Sequence, residues 1–266
     1  MRLLQLGCGN MGGAMLAGWL AGGLPADGFT VVDPVLAEAP VGVRLLREAP
    51  RDEAPFDMVL LGFKPQQFAE IAPGIEPLAG EGTLVLSILA GVELATLRAR
   101  FPRARGIVRI MPNLAVALGK SPIGLVGDVA AEDRARVDQL MAPLGQAEWL
   151  VDEDTMHLVT ALAGSGPAFV YRMIDALAAG AAALGLPRDQ ADRLALSMVE
   201  GASALAAASE HSPGELADRV ASPGGTTRAG MNVLDADQRL LGLMTDTLRA
   251  ARDRSVEMAQ EARATG

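Results

Sequence analysis

Aromatic side chains are nearly missing from this chain: six Phe, two Trp and one Tyr among 266 residues. The core must therefore be filled by Ala, Leu, Val and Met, and so many small residues favour close helix packing. Cysteine is rarer still. A lone Cys8 cannot form an internal disulfide, so a reducing compartment is expected. Only two histidines, His157 and His211, occur, and neither stands in a motif. No Cys or His pair has metal-ligand spacing either, so no metal centre is expected. Basic charge is also in deficit, with 23 Lys+Arg against 32 Asp+Glu and a net charge of -9. Such a surface repels phosphate backbones and anionic bilayers, which argues against nucleic acid or membrane as a partner. Residues Leu3 to Ala26 carry no charge and follow Arg2, but Gln5, Asn10 and several glycines interrupt them. That stretch is no signal peptide or membrane span, and the cytoplasm is the expected location.

The first half alternates short apolar runs with helical stretches. Strands are expected at Leu3 to Gly7, Phe29 to Asp33, Asp57 to Phe63, Thr83 to Leu89 and Gly106 to Met111. Most are continuously apolar, as strands covered on both faces should be. Asn10 to Gly23 and Pro65 to Ile71 suit helices. Strand and helix in alternation predict an α/β Rossmann-type parallel sheet domain over residues 1–151. After Leu150 the apolar spacing changes to three and four: Phe169, Met173, Leu177, Gly180 and Leu184 mark one helix face, and Leu194, Met198, Ala202 and Leu205 another. An all-α helical domain over residues 152–266 is expected. Ser212 and Pro213 read as a helix cap and first turn, Ser222-Pro223-Gly224-Gly225 as a break, and Asp237 to Ala262 as a last helix. The helix from Pro167 to Leu184 is apolar on almost every side. It is either a central core helix or one buried between two subunits.

Gly7-Cys8-Gly9-Asn10-Met11-Gly12 is a G-x-G-x-x-G fingerprint directly after the first strand and opening a helix, the context a dinucleotide requires. Gly7 allows a tight turn, Gly9 lets backbone approach a pyrophosphate, and Gly12 lets helix pack on strand. A purely structural glycine turn is the competing reading. Asp33 ends the second strand and is placed to accept hydrogen bonds from an adenosine ribose. A 2′-phosphate about 4 Å away would be repelled by roughly 1 kcal/mol in water and about 4 at an intermediate dielectric. NADH is thus expected to serve at least as well as NADPH; the bland alternative is a solvated turn aspartate before Pro34.

Several segments together resemble the pyrroline-5-carboxylate reductase family: Gly7 to Gly12, Phe63-Lys64-Pro65-Gln66, Ser87-Ile88-Leu89-Ala90-Gly91-Val92, Arg109-Ile110-Met111-Pro112-Asn113, Gly164-Ser165-Gly166-Pro167-Ala168 and Ser222-Pro223-Gly224-Gly225-Thr226-Thr227. The likeness runs nearly end to end. It implies a helical dimerisation domain interlocking two subunits, assembly of dimers into decamers, and NADPH or NADH as hydride donor to C5 of 1-pyrroline-5-carboxylate, giving L-proline. Three positions depart from the family pattern: Leu114-Ala115 stands for Thr-Pro, His157 for Asp and Phe169 for Tyr.

A protonated cyclic imine is already electrophilic, so the protein mainly aligns donor and acceptor. The Ser222, Gly224, Gly225, Thr226 and Thr227 loop can turn its N–H groups into an anion-binding concavity for the substrate carboxylate. By resemblance, Thr227 hydrogen-bonds the ring nitrogen and Glu210 faces the substrate pocket. Helix capping by both threonines and a solvated Glu210 are the alternatives. Lys64 and Pro65 lie at the carboxyl edge of the sheet and are assigned to the cofactor, with a surface lysine as the alternative. Asn113 follows the fifth strand with its amide expected free to contact nicotinamide. Ser165 is not in a G-x-S-x-G elbow and is read as shaping a tight helix turn. Two other functions compete: a reductase of another cyclic imine on the same scaffold, and a nonenzymatic nucleotide-binding regulator.

Overall fold

The computed structural model describes residues 1–51, 53 and 55–265. Two compact units emerge. The first comprises Met1–Ser165 together with the chain from Ala251 on, the second Gly166–Ala250.

In the first unit the chain runs β1 (Leu3–Leu6), α1 (Asn10–Ala21), β2 (Phe29–Val32), β3 (Arg44–Leu46), β4 (Met58–Leu61), α2 (Phe68–Ile75), β5 (Leu84–Ser87), α3 (Leu94–Arg100), β6 (Gly106–Met111), β7 (Ser121–Asp128), α4 (Ala131–Met141), β8 (Gly145–Trp149) and α5 (Thr155–Val159). Among the described residues one sheet forms, in the order β3-β2-β1-β4-β5-β6-β7-β8. The first six strands are parallel and doubly wound, with β1 pairing both β2 and β4. Alternate side chains go to opposite faces. Leu3, Val31, Met58, Leu60, Leu84 and Leu86 pack with Met15, Leu16 and Trp19 of α1. Leu4, Leu6, Val59, Leu61 and Val85 pack with Ala72, Ile75 and Leu97 on the other side. Both faces being covered explains why the sequence runs are continuously apolar. Trp19 stacks on Phe29, ring centroids 5.5 Å apart, and its Nε1 donates to the Leu140 carbonyl at 2.7 Å.

The sheet is wider than its sequence pattern suggests, and not wholly parallel. β7 runs antiparallel to β6. It was hidden because Pro122, Gly124 and Gly127 break its apolar run. At Gly127 a Cβ would lie 2.3 Å from the Ile107 carbonyl oxygen, so close strand approach selects glycine there. β8 is an edge strand whose alternate residues are exposed, and β3 has only three residues. No helix links β2 to β3; residues 33–43 are turns and extended chain. Where one helix was read from Pro65, a 3-10 turn at Pro65–Gln67 precedes α2.

The second unit holds α6 (Gly166–Ala183), α7 (Arg188–Ala208), α8 (Pro213–Val220), α9 (Thr226–Asp235) and the start of α10 (Arg239–Thr265). Gly185, at φ 109°, ends α6, and a capping box between Ser212 and Glu215 opens α8. The last helix begins at Arg239 rather than Asp237, because Asp237 and Gln238 both adopt positive φ in a kink before it. The core of this unit is thin: Ala178, Ala191 and Ala195 are buried, with Ile174 and Leu186 against them. Val170, Met173, Leu177, Leu194, Met198 and Leu205 remain 43% to 72% exposed. Three alanines bury too little area to order helices of this length, so an outer apolar surface must complete the fold.

Candidate functional site

The glycine turn between β1 and α1 is built for close approach. Gly7 has φ +88°, and a Cβ there would lie 2.8 Å from the Gly62 carbonyl oxygen. A Cβ on Gly12 would meet the Gly7 oxygen at 2.7 Å, which lets α1 press against the turn. Gly9 is different, for a Cβ on it would have nothing within 4 Å. Gly9 is the N-cap of α1, and no side chain caps the helix. The N–H groups of Asn10, Met11 and Gly12 begin a helix of 12 residues and lie beyond reach of intrahelical acceptors. With no acidic residue in that first turn, the helix start is an open, electropositive cradle beside a bare glycine. These residues fit a dinucleotide pyrophosphate.

Asp33 has a structural part that the sequence did not show. It is 6% exposed, not a solvated turn residue, and most of its accepting capacity faces inward. Its Oδ2 accepts the N–H of Cys8 at 2.8 Å, and its Oδ1 accepts those of Val35 and Leu36, both at 2.9 Å. Three of the four lone-pair positions are thus spent on backbone. Burial raises the carboxyl's pKa, but the three N–H donors and the nearby Arg47 outweigh it, and the net shift is downward. Arg47, unnoticed in the sequence, follows β3 and donates to the carbonyls of Asp33 and Leu36. The carboxylate stays anionic, and the nearby Arg47 offsets part of the repulsion it would exert on a 2′-phosphate. Cys8 is a partly buried neighbour of the core, and burial followed by the Asp33 charge holds its thiol above the ordinary value, away from the reactive thiolate.

Lys64 is exposed just past β4, with Pro65 opening the 3-10 turn after it, at the same carboxyl edge of the sheet as the glycine turn. Asn113 also lies at that edge, but its amide is not free. It is 6% exposed; Nδ2 donates to the Ala163 carbonyl at 2.9 Å, and Oδ1 accepts the Ala115 N–H at 2.9 Å. The expectation of an amide held out to nicotinamide is corrected: the side chain ties the end of β6 to a π-helical turn at Thr160–Gly164. Ser165 closes that turn, its N–H bonding the Thr160 carbonyl five residues back at 2.9 Å. His157 makes a 2.9 Å contact through Nδ1 with Ser255 Oγ.

In the second unit, Ser222 to Gly225 form a tight turn in which the Gly225 N–H meets the Ser222 carbonyl at 3.0 Å and Gly224 takes φ +71°. A Cβ on Gly225 would lie 2.7 Å from Ser222 Oγ and 3.1 Å from its carbonyl oxygen, so the turn is tight there. Gly225 is the N-cap of α9 and no side chain caps the helix. Thr226 and Thr227 are therefore its first two residues, exposed, with their hydroxyls not acting as caps. Glu210 is exposed in the bend between α7 and α8.

Residues 153–258 match the family model described as pyrroline-5-carboxylate reductase dimerisation. The chain is 33% identical over 267 aligned positions to pyrroline-5-carboxylate reductase of Pseudomonas aeruginosa, covering 98% of this chain and 97% of that protein. It is 32% identical to pyrroline-5-carboxylate reductase 2 of Bacillus subtilis, covering 96% and 94%. A solved pyrroline-5-carboxylate reductase from Coxiella burnetii superposes with a TM-score of 0.90 at 28% identity, over 97% of this chain and 98% of that one. End-to-end coverage of such relatives means that this chain belongs to the pyrroline-5-carboxylate reductase family.

Proposed function

We propose that this protein reduces 1-pyrroline-5-carboxylate to L-proline, the last step of proline synthesis, with NADH or NADPH as the reductant. The observation that carries the reading is the uncapped start of α1 beside Gly9, where a Cβ would touch nothing within 4 Å. Gly7, Gly9 and Gly12 with the N–H groups of Asn10 and Met11 hold the pyrophosphate, and Lys64 and Pro65 line the same edge. The nicotinamide, when bound, supplies a hydride to the imine carbon. Ser222, Gly224 and Thr226 bind the substrate carboxylate through main-chain N–H groups and a hydroxyl, with Gly225, whose own N–H closes the turn, shaping the loop around it. Thr227 Oγ1 hydrogen-bonds the ring nitrogen, whose proton is retained in the product amine. Glu210 stands close in sequence to that loop and favours the protonated, cationic imine. Asp33 and Asn113 act by holding the backbone rather than by touching ligand.

Residues 1–151 would then carry the dinucleotide and 152–266 the substrate loop and the dimer contact. The exposed leucines and methionines of α6 and α7 favour a homodimer as the smallest stable species, with light scattering to separate it from a decamer. A cytoplasmic location accords with the single cysteine, and among the described residues no helix is long and apolar enough to cross a membrane.

The test is oxidation of NADH and of NADPH followed by absorbance, with and without 1-pyrroline-5-carboxylate, against other cyclic imines. Substrate-dependent turnover with proline as product is expected. A protein that binds dinucleotide but turns over none of these imines would be the nonenzymatic regulator, and faster reduction of a different ring would reassign the substrate.

A further inference from the structure

Gln5 is the third residue of β1, hydrogen-bonded between β2 and β4 in register with Val31 and Leu60, and it is wholly buried at 0% exposure. Its neighbours in β1 are the buried leucines Leu3, Leu4 and Leu6. By strand alternation it shares the face of Leu3, the one covered by Met15, Leu16 and Trp19 of α1. A polar amide at the centre of such a layer costs stability unless every polar atom is satisfied. Here one is not. Gln5 Oε1 has no hydrogen-bond partner, the sole buried side-chain polar atom in that state among the described residues. A leucine or methionine would fill the space without that cost.

The other end of the amide shows what the cost secures. Gln5 Nε2 donates to the Gly7 carbonyl at 3.0 Å. The same nitrogen lies 2.9 Å from the point where a Gly12 Cβ would be, and the Gly7 oxygen lies 2.7 Å from that point. One side chain therefore meets the first glycine of the turn and backs onto the third. Gly7 sits at φ +88°, a conformation that sets the direction in which the chain leaves the strand toward Gly9. From outside the turn, Asp33 holds the next N–H, that of Cys8, at 2.8 Å. The peptide joining Gly7 to Cys8 is thus gripped at its oxygen by Gln5 and at its nitrogen by Asp33.

We propose that Gln5 is a positioning residue of the dinucleotide site: its amide fixes the Gly7–Cys8 peptide plane, and with it the N–H groups of the helix start that receive the pyrophosphate. The inference rests on the reading of the Gly7–Gly12 turn as that site. It assigns to a buried strand residue an effect on cofactor affinity that is separate from fold stability. Gln5 touches neither cofactor nor substrate, so the effect is confined to how well the cradle is shaped.

The test compares wild type with Gln5→Met, close in size, and Gln5→Leu as a second variant should one fold poorly. Thermal midpoints, KM for NADH, for NADPH and for 1-pyrroline-5-carboxylate, kcat, and the dissociation constant of NADH by fluorescence titration are measured on the intact assembly. Expected are an unchanged or higher melting temperature, about a tenfold rise in KM and dissociation constant for both dinucleotides, and substrate KM and kcat within about twofold at saturating cofactor. Unchanged cofactor KM and dissociation constant in a folded variant overturn the proposal and leave Gln5 a core residue. A wild-type protein that binds neither dinucleotide overturns the site reading itself, which separates the two failures.

Discussion

Asp33 Oδ2 accepts the main-chain N–H of Cys8 at 2.8 Å, so the end of β2 holds the glycine turn that follows β1. Carboxylates at this place were expected to meet the ligand. In this chain the carboxylate holds the turn itself, with Val35 and Leu36 supplying the remaining N–H donors.

Asp33→Ala removes three charge-assisted bonds and should cost about 2–3 kcal/mol of stability, read from the urea midpoint. KM should rise by about tenfold or more for NADH and NADPH together, because both share the turn. A rise confined to one cofactor would instead restore a direct ribose contact.

The same carboxylate gives a pH dependence of known sign. Its folded pKa lies below the ordinary value, which is about 3.9 in the unfolded chain. The stability it contributes is therefore present above that value and is lost as pH falls through it toward the folded pKa. Urea midpoints of wild type and Asp33→Asn should converge as pH is lowered from about 7 to about 3. A gap that widens on acidification would contradict the assignment.

Thr227→Ala should lower kcat/KM by roughly 10²–10³, the usual loss for one hydrogen-bonding group at a reacting centre. Its melting temperature should not change, since the residue is exposed and does not cap α9. Thr227→Ser should recover most of the activity. Full activity in the alanine variant would remove Thr227 from the chemistry.

Asn113→Ala should behave in the opposite way. It leaves the Ala163 carbonyl and the Ala115 N–H without their partner at a position 6% exposed, at a cost of about 2–3 kcal/mol. Calorimetry should show the lower melting temperature. A variant of native stability with raised nicotinamide KM would return Asn113 to a ligand-contact role.

Leu177→Glu places charge on the exposed apolar face of α6, where Leu177 is 48% exposed in the single chain. In an assembly that covers this face, the change costs about 1 kcal/mol of lost burial at each copy, besides burying a charge. Light scattering should find dissociated subunits and a lower melting temperature. An unaltered assembly would place the interface on another face.

How much was legible follows from periodicity. The five central strands are mostly apolar on both faces because both are covered, with single buried polar residues such as Gln5, Thr30 and Arg109 among them, and that pattern survives in one dimension. β7, with Pro122 and two glycines, and the short β3 carry no such pattern, since pairing partners rather than composition make them strands. The Ser212 cap and the Gly224 turn were readable because each is a local demand on a few consecutive residues. The bonds that turn Asp33 and Asn113 inward were not, since Cys8 and Ala163 lie 25 and 50 residues away, although each side chain also holds N–H groups two or three residues on.

Composition and short-range spacing by themselves determined the α/β first half, the glycine fingerprint and the helical second half, all of which depend on neighbours along the chain. Only the tertiary structure decided which polar side chains are spent on backbone and which stay open to solvent. Burial and the direction of a hydrogen bond arise when distant segments meet, so Asp33 and Gln5 came to brace the turn while Thr227 was left exposed.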